Sequence, residues 1–340
     1  MIFLITWTPT VWCYDALYTF GDSLTDTGRE PAEPLLHYDG RWSNGPLWVE
    51  YLSVILGFPY DPGHNLAHSG AQTDDTLGQV TQFVPATPLD HALCVVWAGG
   101  NDFLQDYDKY WFDDAGWDGQ IAYSVGSLSN AVVTLYAKGA RFILVPNTVD
   151  VTDIPLLNWL PEAVRSYFRD KVQQFNRELF VALDYIQAAY PALKLFRIDF
   201  YSMVKDFIDH AGDLGFTKTR VDALGDVTLL DKRFDGPGSR YVFWDPIHPT
   251  SKSHGVIASW FQGIVAPVSA DLVRMGFTRS ENRFNLGLES LNPGAGYVIQ
   301  GSHDLSAWSD LMNVSSFSSR FLATFTNDLP QFFFRLRPKP

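Results

Sequence analysis

Residues 18–28 read YTFGDSLTDTG. The apolar run ALYTF (residues 16–20) has the look of a strand and stops at Gly-Asp-Ser. Gly-Asp-Ser is an ordinary turn sequence. It is also a place to hold up a nucleophile at the end of a strand. The rest of the chain decides between the two for Ser23, because a serine hydroxyl is weak at neutral pH. It needs a base, an acid to orient that base, and donors for the oxyanion.

Outward from this stretch the same kind of run recurs: HNLAH (64–68), ALCVVWA (92–98), RFILVP (141–146) and LKLFRID (193–199). Near-continuous apolar runs are expected of strands covered on both faces. Helical spacing fills the intervals at residues 47–57, 119–139 and 161–190. Pro46 and Pro161 open two of these stretches, and Gly57, Gly139 and Pro191 close them, as helix boundaries require. Strand alternating with helix predicts an α/β fold, a three-layer α/β/α sandwich on a mostly parallel, five-stranded sheet.

The chain has 340 residues, 46% hydrophobic and 19% charged, enough for a large core. Its net charge of −13 repels phosphate backbones, which argues against a nucleic-acid partner. The two cysteines, Cys13 and Cys94, indicate neither a disulfide framework nor a thiolate metal site. Cys94 sits inside an apolar run and reads as a core thiol. No stretch is long and apolar enough for a transmembrane helix.

Two ends depart from the α/β pattern. Residues 1–15 resemble the apolar region of a secretory signal without its basic start; the alternative is an N-terminal strand or arm packed on the domain. From Gly276 onward helical spacing ends, and residues 295–303, 320–328 and 331–339 are aromatic and strand-like. The expected division is a signal-like segment at 1–15, a main domain at 16–272 and a small all-β region at 277–340. The tail loosely resembles short β modules of secreted bacterial enzymes, which implies an extracytoplasmic, bacterial setting. Trp308 within it is either core or a sugar-stacking platform.

Four polar clusters fall where an open α/β sheet gathers function, at the carboxyl ends of strands. They are FGDSLTD (20–26), NLAHSGAQT (65–73), WAGGNDF (97–103) and WDPIHPTSKSH (244–254). Each alone reads as a turn. Together they contain a nucleophile, a base, an acid and oxyanion donors. The G-x-S-x-G pattern of α/β-hydrolases does not occur. Nor is there a His and Asp set at metal-ligand spacing, so no metal or organic cofactor is expected.

The clusters resemble the GDSL or SGNH hydrolases, whose blocks carry Ser, Gly, Asn and His in order. This chain has GDSL at 21–24, SGA around Gly70, GGND at 99–102 and DPIH at 245–248. RWSNGPLWVEYL, FNREL and DPIHPTSKSHGVIA extend the likeness over residues 17–265. The resemblance implies a flavodoxin-like SGNH fold and an esterase or lipase. Ser23 is then the nucleophile, His248 the base and Asp245 the orienting acid. Ser23, Gly70 and Asn101 are then the oxyanion donors. His254 is a competing histidine and reads as a surface residue. Asp22, Asp26 and Asp102 read as loop-bracing groups. Phe103, Leu104, Leu156 and Leu157 are the candidate substrate-binding residues, in an apolar pocket. Trp111, Trp117 and Trp159 either join that wall or cover the core. The family includes lipases and carbohydrate acetylesterases, so a lipid or small ester and an acetylated polysaccharide both remain as substrates. A catalytically silent binding protein on the same scaffold is the reading from another class. The oligomeric state is open.

Overall fold

The computed structural model describes residues 14–29, 36–266, 274–280, 283–289, 296–302, 309–315, 320–326 and 333–338. The first strand, β1 (Ala16–Gly21), leads into α1 (Trp48–Ile55) and α2 (Thr73–Gln82). There follow β2 (Ala92–Trp97), α3 (Gly100–Asp106), α4 (Asp114–Ala137), β3 (Phe142–Pro146), α5 (Glu162–Ala189) and β4 (Lys194–Ile198). These strands form one parallel sheet in the order β1-β2-β3-β4. β1 pairs β2 from Ala16↔Ala92 to Gly21↔Trp97.

Residues 64–68, expected as a strand, run beside β1 without forming a ladder. Their link is a parallel bridge, Thr19↔Asn65. Leu66 N–H donates to Thr19 O (2.8 Å) and His68 N–H to Gly21 O (3.1 Å). Asn65 explains the shortness: its Nδ2 donates to Thr25 O (2.6 Å) and its Oδ1 accepts from Ala67 N–H (3.1 Å). These local bonds turn the segment toward the turn that carries Ser23 and compete with a ladder. The sheet is thus four strands with an extended segment along its β1 edge.

Side-chain alternation sorts the layers. Tyr18, Phe20, Cys94, Val96, Ile143 and Val145 share a buried cluster with Val80 of α2, Leu128 of α4 and Phe175 of α5. Trp97 points to the other face, against Trp48 of α1 (5.8 Å between centroids) and Phe200 (4.7 Å). Phe200 opens α6 (Phe200–His210). Right-handed crossovers that step across a sheet in one direction place their helices on one face. The first connection breaks this rule, because the chain visits the outer edge of β1 before returning to β2. α1 therefore lands opposite α2. The reversal creates a crevice at the carboxyl ends of β1 and β2, the usual place for a site.

Cys94 is fully buried, and burial pushes its thiol up to about 12. Cys13 lies outside the described residues. Tyr14 packs edge-on against Phe142, with centroids 5.4 Å apart. Beyond β4 come β5 (Lys218–Asp222) and β6 (Tyr241–Phe243), a parallel pair, and then α7 (Ser251–Val265).

The chain divides into two compact units, one spanning Tyr14–Gly255 and the other taking in Val256–Pro340. The second unit carries two three-stranded antiparallel sheets. One has the order β11-β8-β7, from β7 (Arg274–Ser280), β8 (Arg283–Glu289) and β11 (Arg320–Thr326). The other has the order β10-β9-β12, from β9 (Gly296–Ser302), β10 (Ser309–Ser315) and β12 (Phe333–Pro338). The three strand-like stretches of the sequence are β9, β11 and β12. Leu288, Tyr297, Ile299 and Val314 are buried there, and Trp308 lies outside the described residues. No helix of the described residues is long and apolar enough to cross a membrane.

Candidate active site

Gly21 ends β1 where no other residue fits, since a Cβ there would lie 2.2 Å from Trp97 O. Gln79 of α2 clasps it, with Gly21 N–H donating to Oε1 and Nε2 donating to Gly21 O, both at 2.8 Å. The chain then turns tightly, and Asp22 O accepts from the N–H groups of Thr25 and Asp26 at 3.0 Å. Ser23 projects from this turn. Its Oγ lies 2.8 Å from His248 Nε2.

His248 comes from a loop that the sequence braces by itself. Asp245 Oδ1 accepts from Ile247 N–H (2.8 Å) and His248 N–H (2.7 Å), and Trp244 N–H donates to His248 O (2.7 Å). Asp245 Oδ2 meets His248 Nδ1 at 2.7 Å. A carboxylate there can only accept, so Nδ1 carries the proton and Nε2 is left to receive that of Ser23. Burial would raise the Asp245 carboxyl, but the bonds and charge of His248 and the backbone N–H groups outweigh it and hold it below the usual carboxylate range. Trp42 stacks on the imidazole, with centroids 5.1 Å apart and planes at 26°. Trp42 belongs to the RWSNG stretch, and nothing in its hydrophobic spacing marks this contact in the sequence.

Asn101 stands on the first turn of α3, and its Nδ2 donates to Ala71 O (3.0 Å). Gly70, beside Ala71, has φ +76°, a left-handed conformation that favours glycine. Its carbonyl accepts from Gln105 Nε2 (2.8 Å). Asp102 braces the same corner, accepting from Thr73 N–H (3.1 Å), Thr73 Oγ1 (2.6 Å) and Ser124 Oγ (2.6 Å). Burial raises its carboxyl despite these bonds.

Ser23, Asn101 and His248 open onto a cavity with about 60 Å³ of room for the centres of water-sized groups. Its other walls include Trp97, Leu104, Val151, Ile154 and Ile247. Of the four residues expected to bind substrate, Leu104 lines it. Phe103 instead stacks on Trp117 in the core (5.1 Å), Leu157 is buried in that core, and Leu156 is largely exposed. An amphipathic segment shows which residues are apolar but not which of them turns toward a crevice. Val151 and Ile154 come from the same 149–157 stretch, and Ile247 sits between Asp245 and His248 in sequence. Trp117 is core, whereas Trp159 is 73% exposed and its Nε1 donates to Leu156 O (2.7 Å). Trp111 is partly exposed.

Asp22 also lines the cavity, and burial pushes its carboxyl up to about 6. His254 corrects the sequence reading: it is fully buried, not a surface residue. Among the described residues neither ring nitrogen has a hydrogen-bond partner. Burial, with His248 nearby, pushes its pKa down to about 3. Among the described residues no group of three or more His, Cys, Asp or Glu side chains is placed to hold a metal ion.

A family model, GDSL-like Lipase/Acylhydrolase, matches residues 17–261. GDSL esterase/lipase APG of Arabidopsis thaliana is 24% identical, in an alignment that covers 72% of this chain and 89% of that protein. GDSL esterase/lipase At1g73610 of the same plant is 27% identical, in an alignment covering 72% of this chain and 87% of that protein. Among solved structures, a catalytic mutant of Axe2, an acetylxylan esterase from Geobacillus stearothermophilus, has a TM-score of 0.46 at 16% identity, covering 74% of this chain and 93% of that one. With Ser23, Asn101 and His248 lining one cavity and Ser23 hydrogen-bonded to His248, this chain belongs to the GDSL-like lipase/acylhydrolase family and is a serine hydrolase of carboxylic esters.

Proposed function

We propose that this protein hydrolyses esters of short acyl chains through an acyl-serine intermediate on Ser23. The observation that carries the reading is the Asp245–His248–Ser23 relay, with links of 2.7 and 2.8 Å, opening onto a small apolar cavity. Ser23 Oγ attacks the carbonyl carbon as its proton passes to His248 Nε2. Asp245 holds the ring and stabilises the imidazolium. The negative charge forming on the carbonyl oxygen is met by the N–H groups of Ser23 and Gly70 and by Asn101 Nδ2. The intermediate collapses, the C–O bond to the alcohol breaks, and His248 returns its proton to the leaving oxygen. Water then attacks the acyl-serine by the same route and releases the acid.

Cavity size supports the short acyl chain. At roughly 10–15 Å³ per water-sized group, 60 Å³ takes about four to six methyl-sized groups. That seats an acetyl to hexanoyl chain within the walls. A second reading places a carbohydrate in the alcohol position. It is supported by Trp159, an exposed indole tied to Leu156, whose N–H donates to Pro246 O beside the catalytic acid (2.8 Å).

The test is hydrolysis of p-nitrophenyl acetate, butyrate, octanoate and palmitate by wild type and Ser23→Ala. Turnover is expected to peak at acetate or butyrate and to vanish in Ser23→Ala. A maximum at palmitate overturns the short-acyl reading, and residual turnover in Ser23→Ala overturns the serine mechanism. Equal rates on acetylated sugars for wild type and Trp159→Ala overturn the carbohydrate reading.

A further inference from the structure

An oxyanion donor acts only if the peptide that carries it is already aimed. Gly70 is a weak point in that respect, because glycine is the residue whose backbone is freest to swing. Its neighbours are tied from outside. Ser69 O accepts from His68 Nδ1 (3.2 Å), and Gly70 O accepts from Gln105 Nε2 (2.8 Å). In a trans peptide the Ser69 carbonyl and the Gly70 N–H point in opposite directions, so holding one aims the other.

The tie that joins the preceding peptide, that of His68–Ser69, to the turn carrying Ser23 is Asp26, a residue almost fully buried. Its Oδ1 accepts from Gly28 N–H (3.1 Å) and Arg29 N–H (3.0 Å), and its Oδ2 accepts from Ser69 N–H (3.0 Å). Its own N–H donates to Asp22 O (3.0 Å), the residue before Ser23. We propose that Asp26 is a positioning residue, whose carboxylate holds the Ser69 backbone at its N–H, and through Ser69 the Gly70 N–H that follows, relative to the turn that carries Ser23. The proposal rests on the serine mechanism above. A carboxylate is required because three N–H groups converge on it. An amide of the same shape offers one accepting oxygen and turns an NH2 toward a donor.

The experiment compares wild type, Asp26→Asn, Ser69→Pro and Ser23→Ala on p-nitrophenyl acetate from pH 5 to 9, with thermal melting of each. Asp26→Asn is expected to lower kcat about 10–100-fold, as misplacement of a reacting geometry does. KM is expected to stay within about threefold of wild type, since the interaction lost is one made in the transition state. The acid limb of the pH–rate profile is expected to stay in place, because the Asp245–His248–Ser23 relay is untouched. Ser69→Pro deletes the N–H from the other side and is expected to give the same kcat loss with Asp26 intact. It carries the test if Asp26→Asn fails to fold. A folded Asp26→Asn with wild-type kcat overturns the proposal. So does a kcat loss accompanied by a shifted acid limb, which marks a disturbed triad. Residual turnover in Ser23→Ala overturns the mechanism itself, an outcome distinct from either.

Discussion

His254 offers a test that reads burial directly. In water a histidine titrates near 6.5, and in the folded protein burial lowers this one to about 3. Between those values the unfolded chain binds a proton that the folded protein refuses. Stability is therefore intact above pH 6.5 and is lost as pH falls toward 3. At pH 4.5 the gap to 6.5 is two pH units, so the loss from this residue is about 2.7 kcal/mol at 1.36 kcal/mol per unit. His254→Leu replaces the ring with an apolar side chain that takes no proton. The assay is urea unfolding of wild type and variant at pH 7.5 and 4.5, followed by tryptophan fluorescence. Wild type is expected to lose about 2.7 kcal/mol more than the variant between the two pH values. Equal losses would refute the reasoning, because a ring that titrates normally in the fold makes no differential contribution.

Three further outcomes are expected. Asn101→Ala lowers kcat on p-nitrophenyl acetate by about 100-fold or more, the usual cost of one oxyanion donor; near-wild-type turnover removes Asn101 from the hole. Asp22, raised from 3.8 to about 6, works in the opposite sense to His254. The folded protein keeps its proton longer, so stability falls as pH rises from about 4 to 6. Asp22→Asn is therefore expected to gain on wild type across that window by up to about 3 kcal/mol, a gain absent below pH 4 and complete above 6. A difference in urea midpoint that is flat from pH 4 to 7 contradicts this. Leu104→Ala enlarges the cavity and raises the octanoate-to-acetate rate ratio; an unchanged ratio separates Leu104 from acyl selection.

Much of the site was legible because its bracing is local. Asp245 and His248 are three residues apart, and one carboxylate satisfies the loop backbone and the ring together. Gly21 ends a strand, and Ser23 and Asn101 follow strand ends, where the alternation of strands and helices already pointed to function. The pocket wall was less legible. Phe103 and Leu104 are adjacent and apolar, yet one joins the core and the other the cavity. That difference is set by how α3 is rotated against Trp117, a contact with a residue on α4.

The sequence by itself determined the α/β class, the strand and helix stretches of the main sheet, and the order of the four functional blocks. Hydrophobic period and turn chemistry are local properties, written within a few residues of each other. The tertiary structure decided which neighbours those blocks acquired. It placed residues 64–68 along β1 as a bridged edge and buried His254. It brought Ser69, forty-three residues away, onto the carboxylate of Asp26. Such contacts depend on the full path of the chain. The same polar side chain is a surface group or a buried one according to what the crossovers place beside it.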